Sequence, residues 1–193
     1  MSDAMRVAEP SVLMVDDEKR VADAYALRLD DVADVTVAYS GEEALETVDD
    51  GSVPDVVLLD RHMPGMSGDE VLSRIRERDI ESRIVMVTAV DPGLDVLDMP
   101  FDDYLSKPVE RADLLAVVDQ QCQVLAYELL GEYFRLESTR AVVASQVPDE
   151  DGPDSELADL EAKRSAVEER IQSLLPEAEQ MLSSFDGIDR GGY

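Results

Sequence analysis

Short apolar runs separated by amphipathic stretches fill the first 110 residues of the chain. The apolar runs are rich in Val, Ile and Leu and lie at 12–15, 35–38, 56–60, 84–88 and 104–106. Three of them lack polar alternation, which is typical of parallel strands that are buried on both faces. Because these runs alternate with helical patterns, the sequence predicts an α/β fold with a doubly wound, five-stranded parallel sheet.

The stretches between the predicted strands begin with helix-capping sequences. Ser40 and Ser67 are each followed three residues later by a glutamate, Glu43 and Glu70, which is the pattern of a capping box. Apolar residues then recur at helical spacing, at Ala44, Leu45 and Val48 and again at Val71, Leu72 and Ile75. The sequence therefore predicts helices that begin just after both serines.

The periodicity changes after Pro108, where long helical stripes replace the short runs. One stripe begins near Arg111 and includes Leu114, Val118, Cys122, Leu125, Leu129, Tyr133 and Leu136. Gly131 costs this helix about 1 kcal/mol relative to alanine but does not have to end it. A turn-rich run at 147–154 predicts a loop, and a stripe over 157–185 predicts a second helix, with Arg164 as its one polar residue. Pro176 should kink that helix, and the two helices predict an antiparallel hairpin.

Composition narrows the possible classes of function. The 193 residues include 45 acidic and 17 basic side chains, for a formal net charge of −28. Such a charge disfavours binding to nucleic acid or anionic lipid. The acid-rich, lysine-poor composition is typical of extreme halophiles, the alternative being an acidic mesophilic protein. Because Cys122 is the only cysteine and no apolar run approaches a membrane span, we expect a cytoplasmic protein without disulfides.

Polar residues follow four of the predicted strands at their carboxyl ends. Asp16 and Asp17 follow the first strand, Asp60 ends the third, Thr88 ends the fourth and Lys107 follows the fifth. Carboxyl ends of parallel strands meet at one edge of a sheet, so we expect these side chains to lie together. Three clustered carboxylates repel one another unless a cation lies among them, and Mg²⁺ prefers such oxygen ligands.

This combination predicts a phosphoryl-transfer site. Lys107 would attract a phosphate, and a carboxylate can accept a phosphoryl group as an acyl phosphate. Asp60 is the candidate acceptor, because it lies on a central strand that faces both the acid pair and the lysine. The alternative is structural: Asp16 and Asp17 could simply cap the first helix, and Asp60 and Thr88 could be ordinary residues at strand ends.

These motifs resemble, in order and spacing, the receiver domain of two-component response regulators. The resemblance is carried by Asp16-Asp17, the run 54–68 that contains Asp60, Thr88-Ala89 and the run 102–108 that contains Lys107. It covers about residues 10–120 and implies a flavodoxin-like fold. Only 18 residues separate Thr88 from Lys107, about three fewer than the family usually has, so we expect a shortened helix in this interval.

The resemblance also implies roles for the residues that bind metal and phosphate. Asp60 would be phosphorylated by a sensor histidine kinase. Asp17 and Asp60, with Asp16 often acting through a water molecule, would hold Mg²⁺, aided by the backbone carbonyl of His62. For the side chain of His62, the only histidine, a role in controlling water access to the acyl phosphate is favoured over metal binding or phosphorelay.

The remaining implied roles concern the response to phosphorylation. Lys107 would pair with the phosphoryl group, Thr88 would bond to it after phosphorylation, and Tyr104 would change rotamer with it. For Tyr104 the alternative is simple packing. Beyond self-phosphorylation and autodephosphorylation, we expect no enzymatic activity. A phosphatase of the haloacid dehalogenase type is disfavoured, because it needs a second aspartate where this chain has His62.

The C-terminal helices resemble the HalX region that follows receivers in haloarchaeal response regulators. The predicted organisation is an N-terminal tail at 1–9, a receiver at 10–122, a HalX-like helical domain at 123–186 and a C-terminal tail at 187–193. From residue 111 onward there are 7 basic and 18 acidic residues. This balance disfavours DNA binding, and the apolar stripes favour dimerisation or binding of a partner helix. The alternatives are helices that simply fold back on the chain and a dimer that binds DNA.

Overall fold

The computed structural model describes residues 9–51, 53–78, 80–89, 99–146 and 154–175, together with Ala178 and Leu182. The chain divides into two compact units, Glu9–Leu125 and a second unit made of Met1–Ala8 and Ala126–Tyr193. Among the described helices, none combines the length and the apolar character needed to cross a bilayer.

The unit Glu9–Leu125 contains a five-stranded, all-parallel sheet. Its strands are β1 (Ser11–Val15), β2 (Asp34–Ala38), β3 (Val56–Leu59), β4 (Arg83–Thr88) and β5 (Asp103–Ser106), in the order β2-β1-β3-β4-β5. Helices α1 (Lys19–Leu29), α2 (Gly41–Asp49) and α3 (Gly68–Glu77) connect the first four strands among the described residues. The predicted α/β fold is confirmed.

Burial explains why the central strands read as unbroken apolar runs. All four residues of β3 are buried, and so are the last four of β1. The edge strand β2 instead alternates between exposed and partly buried residues over most of its length. A central strand of a parallel sheet is covered on both faces, and each buried aliphatic side chain stabilises the fold by about 1.5–3 kcal/mol.

The two predicted capping sequences behave differently. Ser67 accepts a hydrogen bond from the backbone of Glu70, whose carboxylate accepts one from the backbone N–H of Ser67, so the capping box of α3 is complete. At α2, Ser40 accepts from the backbone of Glu43, but that glutamate accepts from the N–H of Tyr39 instead. The helix starts are as predicted, and the reciprocal bond forms only at α3.

The second helical region begins with α4 (Arg111–Gln146), which continues through Gly131 as the pattern predicts. Helix α5 (Asp154–Leu174) begins at a residue that the pattern assigns to the loop. Its run ends at Leu174, because a proline at 176 disfavours helical backbone at Leu175, and the described residues Ala178 and Leu182 beyond it are again in 3₁₀- and α-helical conformation. The predicted loop at 147–153, the kink at Pro176 and the shortened helix within 90–98 lie outside the described residues.

Side-chain contacts show that the two helices run antiparallel, as predicted. Arg164 of α5 donates to the hydroxyl of Tyr133 at 3.1 Å, and its Nε lies 3.8 Å from Glu137 of α4. One turn further along α4, Arg140 interacts electrostatically with Glu161, which precedes Arg164. Rising numbers on one helix therefore meet falling numbers on the other.

Arg164 is the centre of a charged cluster in this pair. Besides Tyr133, it contacts Glu168 at 2.8 Å and Glu161 at 3.2 Å, and its side chain is 19% exposed. Burial alone would lower the pKa of Arg164, but its bonds to Tyr133 and Glu161 and the nearby charges hold that pKa above its ordinary value. The single polar residue of the predicted stripe therefore ties α5 to α4.

Replacing Arg164 with glutamine is expected to lower the free energy of unfolding by roughly 2 kcal/mol, because three glutamates lose their shared cation. Urea unfolding at constant salt, followed by circular dichroism, measures this. Lys163→Gln removes the same charge from the exposed neighbouring position and is the control. Equal stabilities for the two variants would show that the cluster does not stabilise the hairpin.

Candidate functional site

Backbone hydrogen bonds extend the sheet one residue past three strand ends and so place the first side chains of the site. The N–H of Asp16 donates to Ala38 at 3.1 Å, and that of Asp60 donates to Val15 at 2.9 Å. The N–H of Lys107 donates to the carbonyl of Thr88 at 2.8 Å. Because β1, β3, β4 and β5 are adjacent and parallel, these residues meet at one edge, as predicted.

Three carboxylates gather at this edge. One oxygen each from Asp16, Asp17 and Asp60 lie within 4.8 Å of one another. Asp16 is fully buried, Asp60 is 6% exposed and Asp17 is half-buried. These converging carboxylate oxygens are suitable ligands for a hard divalent cation. Because Asp17 is partly exposed, such an ion could keep some of its bound water.

The ammonium of Lys107 bridges two of these carboxylates. Its Nζ lies 2.7 Å from Oδ2 of Asp16 and 2.9 Å from Oδ2 of Asp60, and the lysine side chain is 11% exposed. The other oxygen of Asp16 accepts from the N–H of Glu18 at 2.9 Å. Asp16 is therefore held at both oxygens, and the acceptor candidate Asp60 is oriented by the lysine.

Burial and hydrogen bonding have opposite effects on the pKa values of Asp16 and Lys107. Burial raises the pKa of Asp16 above its usual value, and the bonds from Lys107 and Glu18 only partly offset this. Burial lowers the pKa of Lys107, but its hydrogen bonds to Asp16 and Asp60 outweigh that effect and leave the pKa above its ordinary value. The lysine therefore stays charged at neutral pH, while burial disfavours the charged form of Asp16.

The other predicted residues lie around this cluster. Thr88 is 1% exposed, and its Oγ1 lies 3.4 Å from Nδ1 of the exposed His62. The N–H of His62 points to Oδ1 of Asp60 at 3.4 Å. Tyr104 lies on β5 with its ring 6.1 Å from that of Phe101. The rotamer switch of Tyr104 and the metal role of the carbonyl of His62 stay predictions.

Sequence reasoning missed the tight packing behind Asp60. A Cβ built on Gly68 would lie 2.2 Å from the carbonyl oxygen of Asp60 and 2.8 Å from Cα of Arg61. The N–H of Gly68 also donates to the carbonyl of Arg61 at 2.9 Å. Only a glycine allows this loop to close onto the strand end. The available signal was a glycine directly after the capping Ser67, where helices rarely require one.

Comparison with known proteins agrees with this geometry. Residues 12–119 match the family model of the response regulator receiver domain, and residues 123–187 match that of the HalX domain. The chain belongs to the response regulator family. The resemblances to a receiver and to a HalX region are both confirmed. This response regulator is therefore a member of a family whose receivers act in phosphorylation signalling.

Individual relatives support the assignment. A Haloferax volcanii protein named as a transcriptional regulator is 41% identical over 187 residues, which are 96% of this chain and 32% of that protein. The nitrate/nitrite response regulator protein NarL of Escherichia coli K12 is 30% identical over 181 residues, 90% of this chain and 74% of that one. The chain thus spans about a third of the length of the Haloferax relative and three quarters of NarL.

Among solved structures, the CheY-like response regulator receiver domain protein from Methanospirillum hungatei superposes with a TM-score of 0.59 at 25% identity. The match covers 63% of this response regulator and 99% of that chain. The two family matches meet between residues 119 and 123, and the compact units divide between Leu125 and Ala126. The predicted boundaries of the domains and tails stay predictions.

The raised pKa of Asp16 leads to a prediction about stability. Without metal, Asp16→Asn is expected to be more stable than the native chain at pH 7 by about 1 kcal/mol, because it removes a buried carboxylate whose charged form burial disfavours. A raised native pKa means that the folded state binds more protons than the unfolded state just above pH 3.8. The native chain therefore loses stability as pH rises through this range, and the difference should shrink as pH falls towards 4.

Urea unfolding in EDTA at both pH values measures this difference. Asp30→Asn, at the exposed end of α1, removes the same charge away from the cluster and is the control. If Asp16→Asn is less stable than the native chain at pH 7, the bonds that Asp16 accepts from Lys107 and Glu18 outweigh the cost of its burial, and our electrostatic description of the site is wrong.

Proposed function

We propose that Asp60 accepts a phosphoryl group from a sensor histidine kinase in a Mg²⁺-dependent reaction, and that the signal passes to the C-terminal helices. The observation that supports this most strongly is the position of the Asp60 carboxylate. It is nearly buried, it contacts the ammonium of Lys107 at 2.9 Å, and it lies beside two further carboxylates. An aspartate that lies beside both the Lys107 ammonium and a pair of carboxylates able to bind a metal is well placed to accept a phosphoryl group.

The carboxylates of Asp16, Asp17 and Asp60 fit a bound magnesium ion, because their oxygens converge within 4.8 Å. When bound, Mg²⁺ neutralises charge on the transferring phosphoryl group and on the carboxylates. The backbone carbonyl of His62 is proposed as a further ligand. Lys107 is held by two of the same acids, so it is already oriented towards the region that the phosphoryl oxygens would occupy.

The chemical step follows from these positions. An oxygen of the Asp60 carboxylate attacks phosphorus of the donor phosphohistidine, the P–N bond breaks, and the imidazole leaves with the electron pair and takes a proton from solvent. The product is an aspartyl phosphate. Lys107 pairs with its phosphoryl oxygens, and water later cleaves the bond between the carboxylate oxygen and phosphorus, which releases inorganic phosphate and restores the carboxylate. Only this self-modification is proposed, with no turnover of another substrate.

Thr88 and Tyr104 are proposed to change conformation when Asp60 is phosphorylated. Thr88 is buried beside the site, so its hydroxyl can reorient towards a new anion with little loss of entropy. Tyr104 precedes Lys107 by three residues on β5 and can fill the space that Thr88 leaves. The readout that we propose is dimerisation or partner binding through α4 and α5.

The test is the chemical stability of the phosphorylated chain. Incubated with acetyl phosphate and Mg²⁺, the protein should gain one phosphoryl group that neutral hydroxylamine removes, because acyl phosphates are attacked by this nucleophile while phosphoserine and phosphothreonine are not. Intact-mass spectrometry before and after hydroxylamine measures it. A hydroxylamine-resistant label, or no label in the folded protein, would contradict the proposal.

Regulation of transcription through DNA binding by the C-terminal helices is a second candidate, supported by the name of the Haloferax relative. The acidic excess after residue 111 opposes direct contact with phosphates. Gel-shift assays with promoter DNA at high salt, with and without beryllofluoride, separate the two candidates. Specific retardation would favour DNA binding, and its absence together with dimer formation would favour the helical interaction module.

A further inference from the structure

Helix α4 carries a stripe of exposed residues, with the partly buried Phe134 among them, on a different side from the residues that contact α5. We call Tyr127, Gly131, Phe134, Ser138 and Val142 the outer stripe, because their spacings of four, three, four and four place them on one face. Tyr127 is 56% exposed and Val142 is 55% exposed. The outer stripe contains no charged residue in a chain with a net charge of −28.

Packing within the described part of the chain does not explain Gly131. A Cβ built on it would have no heavy atom within 4 Å. Glycine in the middle of a helix is less favourable than alanine, and α4 continues through this position for 36 residues. The glycine therefore leaves open a space that the described part of the chain does not fill.

The outer stripe is complementary in size to a second copy of itself. In an antiparallel pair with a two-fold axis between residues 132 and 133, Gly131 lies opposite Phe134 of the second copy. Tyr127 then lies opposite Ser138 of the second copy. Each aromatic ring faces a small residue, which is the alternation that lets two helices pack closely.

Charges beside the outer stripe match the same arrangement. Glu128 and Arg135 are seven residues apart on one flank, and the side chain of Arg135 is 75% exposed, with Glu132 at 3.8 Å. About the same two-fold axis, Glu128 lies opposite residue 137 of the other copy. Arg135 of that copy is two residues away, about 3 Å along the helix, within reach of the Glu128 side chain, so two ion pairs can form. A parallel, in-register pair would bring neither of these contacts.

We propose that the outer stripe is a dimer interface that binds a second copy of this chain in antiparallel orientation. This inference names the surface for the dimerisation assigned above and so rests on the proposed function. A second copy is favoured as occupant because both size and charge are self-complementary. Salt at molar concentration shortens the Debye length to about 3 Å, so the remaining acidic surfaces repel each other little.

The first test enlarges Gly131 in the full-length chain. Gly131→Leu is expected to weaken dimerisation at least about tenfold, because the added side chain collides with Phe134 of the second copy. Ala162→Leu adds similar bulk at an exposed position of α5 and should leave dimerisation unchanged. Light scattering over a concentration series, with and without beryllofluoride, gives the dissociation constants, and circular dichroism checks that both variants are folded.

The second test reverses the charges at the lowest salt concentration that keeps the protein folded. Arg135→Glu places like charges within reach of each other and should weaken the dimer about tenfold. Adding Glu128→Arg restores both pairs and should restore the dissociation constant. Failure of the double variant to recover, with both variants folded, would contradict the antiparallel arrangement.

Orientation is measured with a spin label on Val142→Cys. The buried Cys122, whose thiol pKa is raised to about 12 by burial, does not compete for labelling. The antiparallel pair separates the two labels by about 30 Å, against about 10 Å in a parallel pair. A short distance would overturn the proposal.

The inference and the proposed function fail in different ways. If the native chain is monomeric in both states, or if Gly131→Leu dimerises as tightly as the native chain, the interface is wrong even when Asp60 is phosphorylated. If Gly131→Leu disrupts the dimer but acetyl phosphate does not label Asp60, the interface stands and the proposed phosphoacceptor is wrong. Acetyl phosphate labelling of Gly131→Leu at the native rate is the expected control result.

Discussion

The substitution Asp60→Asn is expected to abolish labelling by acetyl phosphate, with a loss of at least about 1,000-fold. The amide that replaces the carboxylate has no anionic oxygen to attack phosphorus, and a loss of this size corresponds to about 4 kcal/mol in activation free energy. The fold should persist, because asparagine and aspartate have nearly the same volume and the amide oxygen can still accept a bond from Lys107. Autoradiography or intact-mass spectrometry at matched times gives the rates.

The matched control for Asp60→Asn is Asp55→Asn. Asp55 precedes β3 at its opposite end, is also nearly buried, and accepts hydrogen bonds from Ser11 that an asparagine oxygen can keep accepting. This variant therefore makes the same chemical change away from the cluster and should be labelled at the native rate. Undiminished labelling of Asp60→Asn would show that another residue accepts the phosphoryl group.

Removal of Mg²⁺ with EDTA is expected to slow acetyl phosphate labelling of the native chain at least about 100-fold. Without the ion, three carboxylates face one ammonium, and their excess negative charge repels an anionic donor. Asp17→Asn should cause a comparable loss with Mg²⁺ present, because it removes the most accessible of the three carboxylates. Both effects are measured as initial labelling rates.

Two controls separate this effect from general salt and charge effects. Labelling should recover when Mg²⁺ is added back in excess of EDTA, and Asp30→Asn, on the exposed end of α1, should behave like the native chain. Equal labelling rates with and without the ion would show that the carboxylate cluster works without a metal. In that case the magnesium site would have to be abandoned while Asp60 could remain the acceptor.

The sequence predicts the site well because each of its residues follows a strand whose position is set by apolar pattern. Once β1 and β3 are recognised as neighbouring buried strands, Asp16 and Asp60 must reach the same edge of the sheet. The same reasoning places Lys107 there through β5. Receiver membership, the five parallel strands and the antiparallel helical pair all follow from such local patterns and are confirmed.

Other features depend on distances that no local pattern contains. Gly68 is required because of how closely the loop after Asp60 returns to the strand end, which only coordinates show. Arg164 interrupts an apolar stripe in the sequence, but its partners Tyr133 and Glu137 lie about 30 residues away on α4. Likewise, the apolar pattern continues past Leu174, where α5 ends, because the nearby Pro176 disfavours helical backbone at the residue before it.

The most direct measurement of the central claim is chemical trapping of the phosphorylated residue. Borohydride reduces an aspartyl phosphate to an alcohol, so phosphorylated aspartate becomes homoserine, and peptide sequencing by mass spectrometry locates it. After treatment with acetyl phosphate and Mg²⁺, we expect homoserine at position 60 and at no other aspartate. Homoserine at position 16 or 17, or none anywhere in a chain that carries the phosphoryl label, would contradict the account.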